Sequence, residues 1–311
     1  MNVSVILPVY NGSQYLHAAV DSILLQSHSA LELIILNDGS TEDIESVLEN
    51  FSDPRIRYYS RENRGLGHTL NELVQLSRYD IIFRMDADDI AEPNRISTQL
   101  LFLKGNSRVC LVGGHIRFLH NTELFDLGPP VSNPEHIVRL LLRRSFPLCH
   151  PAIAFRKHSF LLAGGYRLNG LGEDLDFFLR MSEVGELCNI RDHVLRYRIH
   201  AESIATTKTK LIEQSYSYAI YCYRQRHLNL TEPTLAAYAL DVYPKRSYLD
   251  KIQSITWIVS ERAFRSALVA KLRRRHLKFI LSIALASLLR PQAVVDRLTR
   301  LFFPNKNRYS V

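Results

Sequence analysis

Asp86-Ala87-Asp88-Asp89 sets three carboxylates within four residues, directly after Ile81-Ile82-Phe83-Arg84-Met85. The preceding run reads as a buried strand. Acids crowded at its end repel one another and are costly to desolvate. A divalent cation with oxygen ligands would relieve both problems and would in turn hold a diphosphate. The same residues also read as a solvated acidic loop that caps the helix after Pro93. Asn37-Asp38-Gly39-Ser40 follows a second apolar run, and its Asp-Gly step favours a turn. Glu173-Asp174 opens a helical pattern, with the acids in the first turn, where the macrodipole favours them.

The elements that must position these loops alternate along the first hundred residues. Residues 3–9, 31–36, 56–59 and 80–85 are strand-like. Between them, residues 13–26 place Tyr15, Leu16, Ala19, Val20, Ile23 and Leu24 on one helical face. A second helix is expected from Ser40 to about Phe51, with Asp43 at its third position as in a capping box. A third covers residues 67–76. Such alternation predicts an α/β fold with a mostly parallel sheet covered by helices on both faces. Right-handed crossovers then bring the loops after Val9, Leu36 and Met85 to one carboxyl edge, where ligands of open α/β sheets bind. No Gly-x-Gly-x-x-Gly follows the first strand and no P-loop is present, which excludes the usual dinucleotide and triphosphate cradles. From about residue 109 the pattern changes. Residues 109–119 form a longer β-rich stretch broken by Gly113-Gly114, 135–142 look helical, 149–155 and 194–199 strand-like, and the chain from about 207 is mainly helical.

Five segments occur in a telling order: Val5-Ile6-Leu7-Pro8-Val9-Tyr10-Asn11, Asn37-Asp38-Gly39-Ser40, Arg84-Met85-Asp86-Ala87-Asp88-Asp89, Gly172-Glu173-Asp174, and Tyr197-Arg198-Ile199-His200-Ala201-Glu202-Ser203. Together they resemble the family 2 glycosyltransferases of GT-A fold, of the bacterial cell-surface glycan type. The resemblance implies a GT-A domain over residues 1–205, with a nucleotide-binding half near 1–108 and an acceptor half near 109–205, followed by a helical region over 206–311. It implies an inverting, metal-dependent transfer of a sugar from a nucleotide diphosphate, UDP-linked, to a saccharide or lipid-linked saccharide.

Carried onto this chain, Pro8, Tyr10 and Asn11 line the base, and Asp38 hydrogen-bonds it while still serving as a turn residue. Arg64 reaches phosphate or stays a surface arginine; Asp86 and Ala87 lie at the ribose and the edge of the metal shell. Asp88 is the direct ligand of Mn²⁺ or Mg²⁺, joined by His200, although a histidine at a strand end also has a structural reading. Asp174 is the general base, and Glu173 orients the site or binds the acceptor. His150, before a strand on the acceptor side, contacts the acceptor or shapes its loop. A sugar nucleotidyltransferase would need a Gly-rich, basic loop after the first strand, and Tyr10-Asn11-Gly12-Ser13 is not one.

The chain of 311 residues carries a net charge of +8. Residues 262–311 hold twelve Lys or Arg and one acid, +11, which leaves −3 for residues 1–261. The near-neutral body speaks against a nucleic-acid groove. The uncharged run 279–289 is eleven residues long, against ~20 needed to span a bilayer. The basic stretch 262–300 therefore reads as an interfacial segment for an anionic membrane surface, or as a packed helix with a solvated basic face. Scattered cysteines and a strand starting at Val3 without a basic leader predict a cytoplasmic protein, peripheral on the inner face of the plasma membrane.

Overall fold

A computed structural model describes residues 1–126, 128–167, 172–199, 209–272 and 276–290. The chain divides into two compact units, one of Met1–Leu119 with Pro130–Arg198, the other of His120–Pro129 with Ile199–Val311.

The first unit opens with the expected alternation: β1 (Val3–Val9), α1 (Ser13–Leu24), β2 (Leu31–Asp38), α2 (Glu45–Leu48), β3 (Ile56–Arg61), α3 (Leu66–Leu76) and β4 (Ile81–Arg84). β1 pairs in parallel with β2 and β4, and β2 with β3. Every residue of β1 and β2 is buried, as the near-continuous apolar runs of a two-sided sheet require. Val3, Val5, Leu7 and Val9 share one core with Leu16, Ala19, Val20 and Ile23 of α1. The alternate residues of β1 face the other layer, where α3 packs on β1 and β2.

Pro8 sits in this central strand without breaking it. The Met85 N–H donates to the Ile6 carbonyl, so the polar groups of Ile6 face β4. Pro8, two residues on, faces the same way, beyond Arg84, where pairing with β4 has ended. Its missing N–H leaves no ladder bond unmade.

The rest of the unit holds β5 (Ile90–Ala91), α4 (Arg95–Gly105), β6 (Val109–His120), α5 (Pro134–Leu142), β8 (Ala154–Arg156), α6 (Lys157–Leu162), α7 (Glu173–Val184) and β9 (Glu186–Arg198). A further strand, β7 (Glu123–Asp126), falls in the second unit. The sheet runs β3-β2-β1-β4-β8-β6-β9-β5. β4 and β6 both pair antiparallel with β8, β6 pairs parallel with β9, and β9 antiparallel with β5. The register of β6 on β9 shifts around Gly113 and His115. A Cβ on Gly113 would lie 2.2 Å from the Asn189 Oδ1, which explains the paired glycines inside a long strand.

Two local expectations are corrected. The helix after Ser40 is only the single turn of α2, because Ser40 is engaged elsewhere: its hydroxyl accepts from the Asn11 N–H at 2.8 Å. Asp43 holds the turn instead, accepting from the Ser46 N–H at 3.0 Å. Residues 149–155 are not a continuous strand. A 3-10 turn at His150–Ala152 precedes the short β8.

The second unit is mainly helical: α8 (Thr209–His227), α9 (Leu235–Ala237), α10 (Tyr248–Leu272) and α11 (His276–Leu289). Glu213 of α8 is fully buried and accepts from Ser217, Ser254 and Tyr243, the last at 2.5 Å, with the Arg246 guanidinium at 3.4 Å. These partners satisfy a charge that would otherwise be expensive to bury. None of the described helices is long and apolar enough to cross a membrane.

Candidate active site

The loops after β1 and β2 are tied together before any ligand is considered. The Asn11 Oδ1 accepts from the Thr41 N–H at 2.9 Å, and the Asn37 Oδ1 accepts from the Ser40 N–H at 2.9 Å. Gly39 has φ +71°, and a Cβ there would meet the Asn63 nitrogen at 2.6 Å, so this turn and the β3–α3 loop touch backbone to backbone. Asp38 fastens the contact. Its buried carboxylate accepts from the N–H groups of Arg64 at 2.8 Å and Gly65 at 3.0 Å and pairs with the Arg61 guanidinium. Arg61 is itself held by Glu72 at 2.7 Å and the Thr69 hydroxyl at 3.0 Å. An ionised carboxylate offers about four acceptor positions, so room for one further donor remains. Tyr10 is exposed beside this loop pair, Pro8 is buried beneath it, and Arg64 is exposed on its rim.

The acidic loop follows β4 on the neighbouring side of β1. Strand spacing puts the ends of β2 and β4 roughly 10 Å apart. Asp86, Asp88 and Asp89 each bring a carboxylate oxygen to within 4.8 Å of the others. Asp89 is 1% exposed; its Oδ1 accepts from the Arg198 N–H at 2.8 Å, while its Oδ2 is buried with no hydrogen-bond partner among the described residues. Burial pushes the Asp89 carboxyl well above the usual range, and the charges of Asp88 and Asp86 push it further. Burial also raises Asp86, Arg84 pulls it back, and Asp88 raises it again. An orphaned buried oxygen among converging, mutually repelling carboxylates fits an oxygen-liganded divalent cation. Ala87 sits inside this loop and packs on the core.

Two fully buried arginines lie under the loop. Arg84 binds Asp86, and the Arg95 Nη2 donates to the Arg84 carbonyl at 2.6 Å. Burial pushes Arg95 down to about 10, opposed first by Asp89. Arg198 closes the loop from β9: its Nε donates to the Asp88 carbonyl at 2.7 Å, and its guanidinium lies 4.6 Å from the Tyr15 ring centroid.

α7 supplies the second acidic group. Glu173 is buried in the first turn, and Asp174, half-buried, accepts from the Leu175 N–H at 2.8 Å. Burial pushes Glu173 up to about 7, and the charge of Asp174 adds to the rise. Arg84 opposes it and Asp86 reinforces it, so the acidic loop and the start of α7 share one electrostatic neighbourhood. The His150 Nδ1 stands 3.9 Å from the Glu173 Oε1, and its Nε2 is 2.7 Å from the Tyr166 hydroxyl. Burial, with Arg84, holds His150 well below the usual imidazole range, so the ring is neutral. Asn71 of α3 grips Tyr166 from both sides, its Nδ2 donating to the Tyr166 carbonyl and its Oδ1 accepting from the N–H, each at 2.8 Å.

The fold therefore gathers Asp86, Asp88, Glu173 and Asp174 near Arg84 and keeps Pro8 and Asp38 at the ends of β1 and β2, with Tyr10, Asn11 and Arg64 on the adjoining loops. His200 lies outside the described residues. Arg61, Arg84, Arg95 and Tyr166 are contributors to which motif reading gave no role, while Asp89 and His150 carried only an unspecific one. One signal was visible: an arginine inside the apolar run before the acidic loop has to be paired.

Residues 4–161 match the family model described as Glycosyl transferase family 2. The chain is similar to the O-antigen biosynthesis glycosyltransferase WbnJ of Escherichia coli, 34% identical over 211 residues, which cover 65% of this chain and 81% of that protein. Chondroitin synthase of Escherichia coli is 28% identical over 69% of this chain and 31% of its own larger length. Among solved structures, residues 1–349 of S. aureus TarS in complex with UDP-GlcNAc share the fold, with a TM-score of 0.57 at 13% identity over 94% of this chain and 93% of that one. The architecture is that of the GT-A fold with a helical C-terminal region.

Proposed function

The chain belongs to glycosyl transferase family 2, and from that premise we propose a metal-dependent inverting transfer of a sugar from a UDP-linked donor to a saccharide or lipid-linked saccharide of a cell-surface glycan. What carries the reading is the position of Arg84 between two acid groups: it binds Asp86 and faces Asp89 and Glu173. The O-antigen and chondroitin enzymes among the relatives support a glycan acceptor, and the UDP-GlcNAc complex of the structural neighbour supports the donor class.

In this reading the base lies against Tyr10, Asn11 and Pro8, the remaining acceptor position of Asp38 takes a base N–H, and Arg64 meets the phosphates. Mn²⁺ or Mg²⁺ would be held by Asp88 with Asp86, Asp89 and His200 around it, and would supply Lewis-acid stabilisation of charge on the departing diphosphate. Asp174 takes the proton of the acceptor hydroxyl as that oxygen bonds to the anomeric carbon and the bond from that carbon to the diphosphate breaks. The positive charge that builds on the sugar at this stage resembles that of glycoside hydrolysis. Glu173, pushed up to about 7, carries a proton for much of the time near neutrality. A protonated neighbour does not oppose ionisation of Asp174, so the two adjacent carboxyls divide into one donor of hydrogen bonds and one base.

A panel of nucleotide sugars with Mn²⁺, read by thermal shift and then by UDP release with and without saccharide acceptors, tests this function. Stabilisation by UDP-sugars, with release that depends on acceptor, is the expected result. Indifference to every nucleotide diphosphate sugar would overturn it.

A further inference from the structure

Along α11, Leu277, Leu281 and Leu288 are 73%, 61% and 80% exposed, and Ile280, Ala284 and Leu285 are exposed with them. Their spacing puts them on one broad helical face. The opposite side carries Ala286, buried against Ala263 of α10 with Ile283 alongside, and the Ser260 hydroxyl of α10 donates to the Ala286 carbonyl at 3.4 Å. One side of α11 is thus satisfied within its unit, while the other holds a contiguous apolar stripe in water, the mark of a contact surface.

Charge selects the occupant. Residues 262–290 carry eight Lys or Arg and no Asp or Glu. A second copy of this chain would bring two such stretches together and repel itself. A bilayer rich in anionic lipid satisfies both features at once, taking the stripe among its acyl chains and the bases at its phosphates. α11, at 14 residues, is about 21 Å long, short of the ~30 Å hydrocarbon core, so it lies along the surface.

We propose that the exposed face of α11 docks on an anionic phospholipid surface. This deepens the reading of a lipid-linked acceptor by giving the enzyme the surface on which such an acceptor resides. Its test uses no sugar, so either can fail alone.

The full chain is sedimented with vesicles of phosphatidylglycerol and phosphatidylcholine, and with phosphatidylcholine alone. Partition onto the anionic vesicles is expected, reduced at least about tenfold on neutral vesicles or in high salt. The triple variant Leu277→Ser, Leu281→Ser, Leu288→Ser should lose about as much, while its melting temperature stays put because these side chains are already in water. Leu281→Trp gives a second measurement, a blue-shifted emission component on anionic vesicles. The proposal is overturned if the triple variant sediments like its parent, if the added tryptophan emission does not move, or if light scattering shows a dimer that the triple variant turns into a monomer.

Discussion

Arg84 closes on Asp86 with both arms of its guanidinium: Nη1 donates to Oδ2 at 2.9 Å, and Nη2 stands 2.6 Å from Oδ1. Its side chain is 2% exposed, and its charge also reaches Asp89 and Glu173. Arg84→Met leaves several acids without their shared cation. Removing one partner of a buried ion pair costs roughly 3–5 kcal/mol. About 3 kcal/mol is expected here, the low end, because Asp86 keeps 31% exposure. Urea denaturation at neutral pH reads the loss; an unchanged midpoint would show that the pair adds no net stability.

Asp174→Asn keeps the shape of the α7 start but removes the proton acceptor. The turnover number is expected to fall by about 10²- to 10⁴-fold, the range for a positioned acid or base, while UDP affinity with Mn²⁺ stays near that of the parent. Wild-type turnover in this variant would move the base elsewhere.

Asp88→Ala should weaken UDP binding in the presence of Mn²⁺ by at least about tenfold, or ~1.4 kcal/mol. Chelation of the metal should do the same to the parent and little to the variant. Calorimetry that finds equal affinity for both proteins with Mn²⁺ would remove Asp88 as a ligand.

Glu173 gives a pH signature in stability. Its carboxyl is raised from 4.5 to about 7 in the folded chain. Between those values the folded form holds a proton that the unfolded form has released, so stability falls as pH rises through the window. At one pH unit per 1.36 kcal/mol, the effect is at most roughly 3 kcal/mol. Glu173→Gln needs no ionisation. It should melt above the parent at pH 8, and the gap should close towards pH 5. A gap independent of pH would place the Glu173 carboxyl near its ordinary value.

Much of the fold of the first hundred residues was legible in the chain. The runs at 3–9, 31–36 and 81–85 are buried on both faces, so apolar content alone marks them as strands, and the acidic and Asp-Gly loops follow at their carboxyl ends. The stretch from about residue 109 was harder because its contacts are long-range. β6 pairs with β8 and β9, strands far away in sequence, and nothing near Cys149 signals that His150 will meet Tyr166 and Glu173. Ser40 misled for a related reason: a serine before an apolar run looks like a cap, but the Asn11 N–H from another loop claims its hydroxyl. The function of Arg84 could be suspected from its place inside an apolar run, but its partners could not be derived without the fold.

Asp38 has a consequence for donor exchange. The carboxylate expected to meet the base already fixes Arg61 and the N–H groups of Arg64 and Gly65. Swapping that residue to welcome a different nucleobase would at the same time unpin the segment proposed to meet the phosphates. Selection or engineering for a new donor therefore has its freer route through Tyr10, whose exposed side chain can change without releasing the Arg61 anchor, and residue 38 should be among the last to drift.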